Sequence, residues 1–324
     1  MRAITYHNTK TTLPAWVLTI HRTWPRGLAY ETATHFVHIF GFDTGLWTVC
    51  DVFATEQAQG TLQDWVVRVF GATQIEDILL DVGHTVEGAW RPGLYFQDDT
   101  LQGLQVSNSD ARRAEQSLLL LVQRLDELLL FIEPSPTTLN THSHKARELL
   151  ILACTEIENY WQDYLRRAGQ SGTFTTNDYV KLMGPLYLSE YEISLPRYNV
   201  IAPIRPFLGW APKPGPTQTL PWYNDYNKTK HDRTINFEAA SLLNCINAVA
   251  AAAIMFAIKF GPQRLTEGPG PLPSYFGHLF AMELRDFRPS TTYVPLIRPP
   301  TQNNLSTGRL RDVVEPRLVQ PFTL

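Results

Sequence analysis

The segment with the densest candidate chemistry is PWYNDYNKTKHDR, which runs from Pro221 to Arg233. It places His231 between Lys230 and Arg233, and two Tyr-Asn steps precede them. A histidine suits proton transfer because its ordinary pKa lies near 6.5. Lysine and arginine supply the positive charge that a phosphate group requires. The segment therefore predicts a site that handles phosphate or RNA, with Tyr226 and Asn227 beside the charged residues.

A carboxylate is expected to join this site from a second helix. Glu156 lies at the border of the apolar stripe of a long predicted helix, where a charged group needs a partner. Lys230 or Arg233 would provide that partner if the segment packs at one end of a helical bundle beside Glu156. A purely structural ion pair is the alternative interpretation.

Large aromatic residues surround the charged segment. Trp210, Trp222 and Tyr223 are candidates for substrate binding, because aromatic rings stack on the bases of single-stranded nucleic acid. The same side chains would equally anchor the preceding loop to the helices. The sequence leaves both interpretations open.

Long amphipathic helices must position these residues. Apolar residues recur every three or four positions from Ser107 to Ile132 and again from Lys145 to Arg167. Ser107 offers a helix N-cap, and prolines follow the end of the first helix. A short helical turn is predicted near Asn177, and a last, almost wholly apolar helix is predicted from Asn236 to Lys259. The charged segment is expected to form the entrance to that last helix.

The first part of the chain has a different pattern. Residues 16–24, 35–40 and 46–54 are rich in β-branched and aromatic residues, which predicts strands. A helix is predicted over 61–70, between two glycines, and a closing strand over 93–97. Residues 1–105 are thus expected to form a mixed α/β domain whose role the sequence does not indicate.

Two proline-rich stretches complete the organisation. Residues 195–221 contain large apolar side chains, which predicts an ordered loop packed on the helices rather than a flexible linker. Residues 263–324 are predicted to be a proline-rich C-terminal extension. The expected fold class is α+β: a small mixed α/β N-terminal domain over 1–105, a helical bundle over 106–262, and the extension.

The helical part resembles the HEPN superfamily, a group of all-α domains common in prokaryotic toxins and antiviral effectors. Catalytic HEPN proteins carry an arginine, then four to six residues, then a histidine, often as RNxxxH. Asn227 and His231 keep the spacing of the Asn and His, whereas Tyr226 occupies the arginine position. Three segments, 147–161, 177–195 and 222–233, are similar to a group of bacterial HEPN-like proteins, and the resemblance spans about 107–262.

The resemblance implies metal-independent RNA cleavage in a defence or toxin–antitoxin system. His231 would be the general base or acid, and Lys230 or Arg233 would replace the missing arginine. Pairing of HEPN-like domains around one composite cleft implies a homodimer, which is also the commonest oligomer in general. The alternatives are a non-catalytic bundle that binds a protein partner through the N-terminal domain, and a small-molecule or nucleotide sensor.

Composition excludes several other classes. The 324 residues include 44% hydrophobic and 18% charged residues with a net charge of -3, which predicts a folded protein without a general affinity for nucleic acid. Three separated cysteines argue against a disulfide framework and favour the cytoplasm. The apolar run from Leu242 to Ile258 contains two asparagines and is shorter than the roughly 20 residues of a membrane span, so no membrane association is expected.

No metal or cofactor is expected. His142 and His144 have a spacing that metal ligands use, but no cysteine or carboxylate lies nearby, which predicts a solvated loop. The chain has no phosphate-binding Walker loop, no GxSxG nucleophile motif and no GxGxxG motif before a helix.

Overall fold

The computed structural model describes residues 1–10, 13, 19–94, 97–231, 235–298 and 301–324, with the side chains of 97 and 98 left out. The fold is mixed α/β and divides into two compact units. The sheet unit comprises Met1–Gln105 and Asp286–Gln320, and the helical unit comprises Val106–Arg285 and Pro321–Leu324. Residues 263–324, predicted as one extension, are therefore divided between the two units.

The strands are all short, and most of them lie in the sheet unit. In chain order they are β1 (Ala3–His7), β2 (Arg26–Glu31), β3 (His35–Gly41), β4 (Val49–Gln57), β5 (Thr73–Asp77), β6 (His84–Val86), β7 (Tyr191–Ser194), β8 (Ala281–Leu284), β9 (Ser306–Gly308) and β10 (Leu318–Gln320).

The helices include three long ones, all in the helical unit. In chain order they are α1 (Ile20–Thr23), α2 (Leu62–Phe70), α3 (Gln97–Leu104), α4 (Asn108–Phe131), α5 (His144–Arg167), α6 (Thr176–Tyr179), α7 (Pro221–His231), α8 (Leu242–Phe260), α9 (Gln263–Thr266) and α10 (Leu272–Leu279).

The sheet unit is built on a six-stranded antiparallel sheet in the order β5-β1-β2-β3-β4-β9. Side chains alternate between the two faces of each strand. On one face, Phe36 and Phe40 pack against Trp65 of α2. On the other face, Val37 packs in a core that includes Ile297 of the returning C-terminal segment. Both faces are thus covered, which explains why β3 is buried along its whole length.

Two predicted strands of the sheet unit are corrected by the structure. Of the predicted strand 16–24, residues 16–18 lie outside the described residues, and Ile20–Thr23 form one helical turn. The Trp24 N–H donates to the Ile20 carbonyl at 2.7 Å, so the local backbone bond prevails over the β-propensity of isoleucine and threonine. In the predicted strand 93–97, Gly93 has a φ of 102°, which a strand does not adopt, and Gln97 begins α3. Residues 95 and 96 lie outside the described residues.

The predicted helices over 61–70, from Ser107 to Ile132 and from Lys145 to Arg167 are confirmed. Thr61, Ser107 and Ser143 each accept a hydrogen bond from the N–H three residues later and so begin α2, α4 and α5. In the helical unit α4 and α5 pack against each other and against α8. Most of α8 is buried, and 78% of its most apolar 18-residue stretch lies inside the fold. That burial fits the core helix of a soluble protein.

The last helix begins later than predicted. Residues Phe237–Ala239 form a separate 3-10 turn, and Ser241 caps α8 by accepting a hydrogen bond from the Asn244 N–H. The charged segment is therefore not the entrance to α8 but forms its own helix, α7, up to His231. Pro221 suits the first position of that helix, since proline has a helical φ and lacks the N–H that would find no intrahelical acceptor there.

Candidate functional site

Helix α7 has one buried and one exposed side. Trp222, Tyr223, Tyr226 and Thr229 are buried at helical spacing, whereas Lys228, Lys230 and His231 are exposed. Asn244 of α8 donates to the Asp225 carboxylate at 3.0 Å and so fixes α7 against α8. The aromatic side of α7 therefore belongs to the core, and its last turn presents positive charge to solvent.

Glu158 of α5 is the carboxylate that contacts α7. The Tyr223 hydroxyl donates to Glu158 Oε1 at 2.6 Å, and the Lys230 ammonium lies 4.0 Å from Glu158 Oε2. Lys230 Nζ also donates to the Tyr226 hydroxyl at 2.8 Å and lies 5.0 Å from the centre of the Tyr226 ring. These contacts hold the lysine side chain back against its own helix, although 45% of that side chain is exposed.

The protonation states of this group follow from burial and from these contacts. Burial raises the pKa of Tyr223, and the hydrogen bond to the Glu158 carboxylate raises it further. Burial also raises the pKa of Tyr226. The hydrogen bond to Tyr226 raises the pKa of Lys230, and the nearby Glu158 carboxylate adds to that rise. At neutral pH both tyrosines are therefore neutral and Lys230 is positively charged.

Glu156, the carboxylate predicted for this site, faces another part of the helical unit. Burial raises its pKa, which a hydrogen bond from Asn159 and the charge of Lys259 partly offset. Two positions along an α-helix correspond to a rotation of roughly 200°, so Glu156 and Glu158 lie on nearly opposite sides of α5. The predicted cluster around Glu156 is therefore corrected to a cluster around Glu158.

His231 ends α7 at the surface. No polar contact joins its side chain to another residue in the described part of the chain. Asn227, one helical turn earlier, is half-buried, and Arg233 lies outside the described residues. Cationic side chains in the last turn interact favourably with the partial negative charge of a helix C-terminus. Arg147 of α5 adds to this by donating from Nη2 to the Thr229 carbonyl at 3.1 Å.

The predicted stacking aromatics are buried. The Trp210 indole N–H donates to the Pro216 carbonyl at 2.9 Å, and the Trp222 indole N–H donates to the Pro206 carbonyl at 2.8 Å. Trp161 of α5 packs against Trp210 and Tyr223. These side chains hold the proline-rich loop on the helices and present no ring face to a base.

Another aromatic group, partly exposed, joins the start of α5 to the 3-10 turn before α8. The Phe237 ring contacts the imidazoles of His142 and His144, with ring centroids 5.4 Å and 4.8 Å away. His144 is exposed, while His142 and Phe237 are half-buried. The predicted solvated loop is thus a packed contact between histidines and a phenylalanine. Within the described ranges, no group of three or more His, Cys, Asp or Glu side chains is suited to a metal ion.

Sequence reasoning missed Glu158 and Phe237. Glu158 had a usable signal, since it lies four positions after Cys154 and three before Trp161, two buried residues of the same helix face. Phe237 had none, because its contacts with His142 and His144 depend on how the 3-10 turn Phe237–Ala239 packs. The chain matches no family model, no curated protein and no solved structure.

Proposed function

We propose that the helical unit is a HEPN-like RNA-binding domain that cleaves RNA without a metal ion. The observation that supports this best is the contact between Lys230 and Tyr226. Tyr226 stands at the arginine position of the catalytic HEPN motif, and Lys230 Nζ lies 2.8 Å from its hydroxyl. A positive charge is therefore held beside the residue that replaces the arginine, and an exposed histidine follows it in the sequence.

The reaction needs only groups of this kind. The ribose 2′-hydroxyl attacks the adjacent phosphorus while the bond from phosphorus to the next nucleotide's 5′ oxygen breaks. Neutral His231 would accept the 2′-hydroxyl proton while water gives a proton to the departing oxygen, or protonated His231 would give that proton while water accepts the one from the 2′-hydroxyl. Lys230 would stabilise the negative charge that develops on the phosphate oxygens. The products are a 2′,3′-cyclic phosphate and a 5′-hydroxyl, and no co-reactant is consumed.

The proposal extends to the setting of this activity. A nuclease of this class would serve as a prokaryotic defence or toxin–antitoxin effector in the cytoplasm. A homodimer would place two copies of the Lys230–His231 pair around one cleft, and a two-fold arrangement is the commonest form of such pairing. The sheet unit would then be available to a protein partner.

A pair of histidine variants tests the activity. Wild-type protein, His231→Ala and His278→Ala would be incubated with mixed-sequence single-stranded RNA in the presence of EDTA. His278 on α10 is a matched control, since 47% of its side chain is exposed and it lies outside α7. Loss of the proton-transfer group in His231→Ala should slow cleavage by roughly a hundredfold or more. His278→Ala should cleave at the wild-type rate.

Unfolding curves must first show that both variants are folded. Equal cleavage by His231→Ala and wild type would reject the role of His231. Absence of cleavage by the wild type on any RNA would reject the nuclease activity.

A non-catalytic protein-interaction module is the second candidate. The observation that favours it is the pair of indole hydrogen bonds from Trp210 and Trp222 to the proline-rich loop. In that case α7 serves to hold the loop as a recognition surface. Wild-type protein would then neither bind nor cleave RNA.

A further inference from the structure

We infer that Phe237, in contact with His142 and His144, is a stacking platform for an unpaired base of single-stranded RNA. This inference rests on the proposed function, because it assigns a base-binding position to the same RNA. It replaces the buried tryptophans as the aromatic part of the site.

The three rings form one contiguous group. His142 meets the Phe237 ring edge-on, and His144 meets it at an interplanar angle of 49°. Phe237 belongs to the 3-10 turn Phe237–Ala239, in which no residue is buried. Because His144 is exposed and Phe237 only half-buried, a planar base can reach this group from solvent.

Backbone contacts place the group at the same end of the helical unit as His231. The Leu242 N–H at the start of α8 donates to the Thr141 carbonyl at 2.9 Å, and His142 pairs with Ser241 in an isolated β-bridge. The start of α5 therefore lies against the start of α8. Arg147, in the first turns of α5, bonds the carbonyl of Thr229 in the last turn of α7.

The charges around the platform favour a phosphate backbone. His144 and Arg147 both belong to the first turn of α5, and no carboxylate forms an ion pair with Arg147 in the described part of the chain. The Arg147 contact with Thr229 also offsets the partial negative charge at the C-terminus of α7, which would otherwise repel phosphate. Glu238 is exposed next to Phe237, so phosphates are expected on the side of His144 and Arg147.

The geometry selects single-stranded over duplex RNA. Proteins that bind single strands combine positive charge along the backbone with aromatic rings on which bases stack. A base within a duplex is already stacked on its neighbours and cannot lie on a protein ring. One aromatic ring beside a catalytic pair would hold a nucleotide next to the scissile phosphate without reading its identity.

Binding of labelled oligouridine to the full chain tests this role. Fluorescence anisotropy would be measured in a His231→Ala background, so that the RNA is not cleaved. Adding Phe237→Leu keeps an apolar side chain but removes the ring, and should weaken binding roughly tenfold or more. Adding Tyr275→Leu, which removes an aromatic side chain 39% exposed on α10, should leave the affinity unchanged.

A ring-preserving variant separates stacking from folding. Phe237→Tyr should bind within about twofold of the background protein, because a tyrosine ring stacks as well as a phenylalanine ring. Equal binding by Phe237→Leu and the background, or a loss in Phe237→Tyr as large as in Phe237→Leu, would overturn the platform while RNA binding itself stands. If the background protein does not bind oligouridine at all, the proposed function fails and the platform fails with it.

Discussion

Replacing Glu158 by alanine should destabilise the helical unit far more than the same change at Glu156. Glu158 accepts a 2.6 Å hydrogen bond from Tyr223, whose side chain is buried on α7. Removing a charged acceptor from a buried donor costs about 2–3 kcal/mol, including the penalty for the unpaired hydroxyl. The Lys230 ammonium, 4.0 Å away and 45% exposed, should add less than about 1 kcal/mol after solvent screening.

Glu156 supplies the matched control on the same helix. Burial raises the pKa of its carboxyl, so the ionised form gains little from its surroundings. Glu156→Ala should therefore change the free energy of unfolding by no more than about 1 kcal/mol. Urea unfolding followed by the helical circular dichroism signal would compare the two variants, since the long helices all lie in the helical unit. Equal stability of Glu158→Ala and wild type, or an equally large loss in Glu156→Ala, would refute the stabilising contact of Glu158 with Tyr223 of α7.

Two further predictions concern the sheet unit. Burial lowers the pKa of His38 well below its usual value, so the unfolded chain takes up the proton first as pH falls. The free energy of unfolding should therefore decrease by about 1.4 kcal/mol per pH unit below about pH 6.5, and the contribution of His38 should be constant above that pH. Urea midpoints that fall equally with pH in His38→Gln would contradict this. Gly93 has a φ of 102°, and an added Cβ would lie 1.9 Å from the Tyr293 carbonyl oxygen. Gly93→Ala should lower the free energy of unfolding by at least about 3 kcal/mol. Gly45 has a φ of 89° and open space around an added Cβ, so Gly45→Ala should lower it by about 1 kcal/mol. Similar melting temperatures for the two variants would count against the steric argument.

Helices that carry their own start signals could be predicted from the sequence. Ser107 and Ser143 stand before long periodic segments, and both cap helices in the structure. The predictions for short segments were wrong because residue propensities alone do not determine the conformation of a short segment. Ile20–Thr23 is rich in β-forming residues yet folds as a helical turn, closed by the hydrogen bond from Trp24. The predicted strand 93–97 contains Gly93, whose positive φ and close approach to the Tyr293 carbonyl belong to a turn.

The candidate site was predictable in composition but not in arrangement. The approach of Lys230 to Tyr226 follows from their separation of four positions on one helix, and the sequence contains that information. The choice between Glu156 and Glu158 depends on which side of α5 meets α7, which only tertiary packing decides. Phe237 became part of the proposed site because it contacts His142 and His144 from the 3-10 turn Phe237–Ala239, and no local pattern indicates that contact.

The chemical ends of the RNA products test the central claim most directly. Wild-type protein would be incubated with single-stranded RNA in EDTA, and the fragments analysed by mass spectrometry. The account predicts fragments that end in 2′,3′-cyclic phosphate, each followed by a fragment with a 5′-hydroxyl, and their loss in His231→Ala but not in His278→Ala. Uncleaved RNA, or fragments with 3′-hydroxyl and 5′-phosphate ends, would contradict metal-independent cleavage by His231.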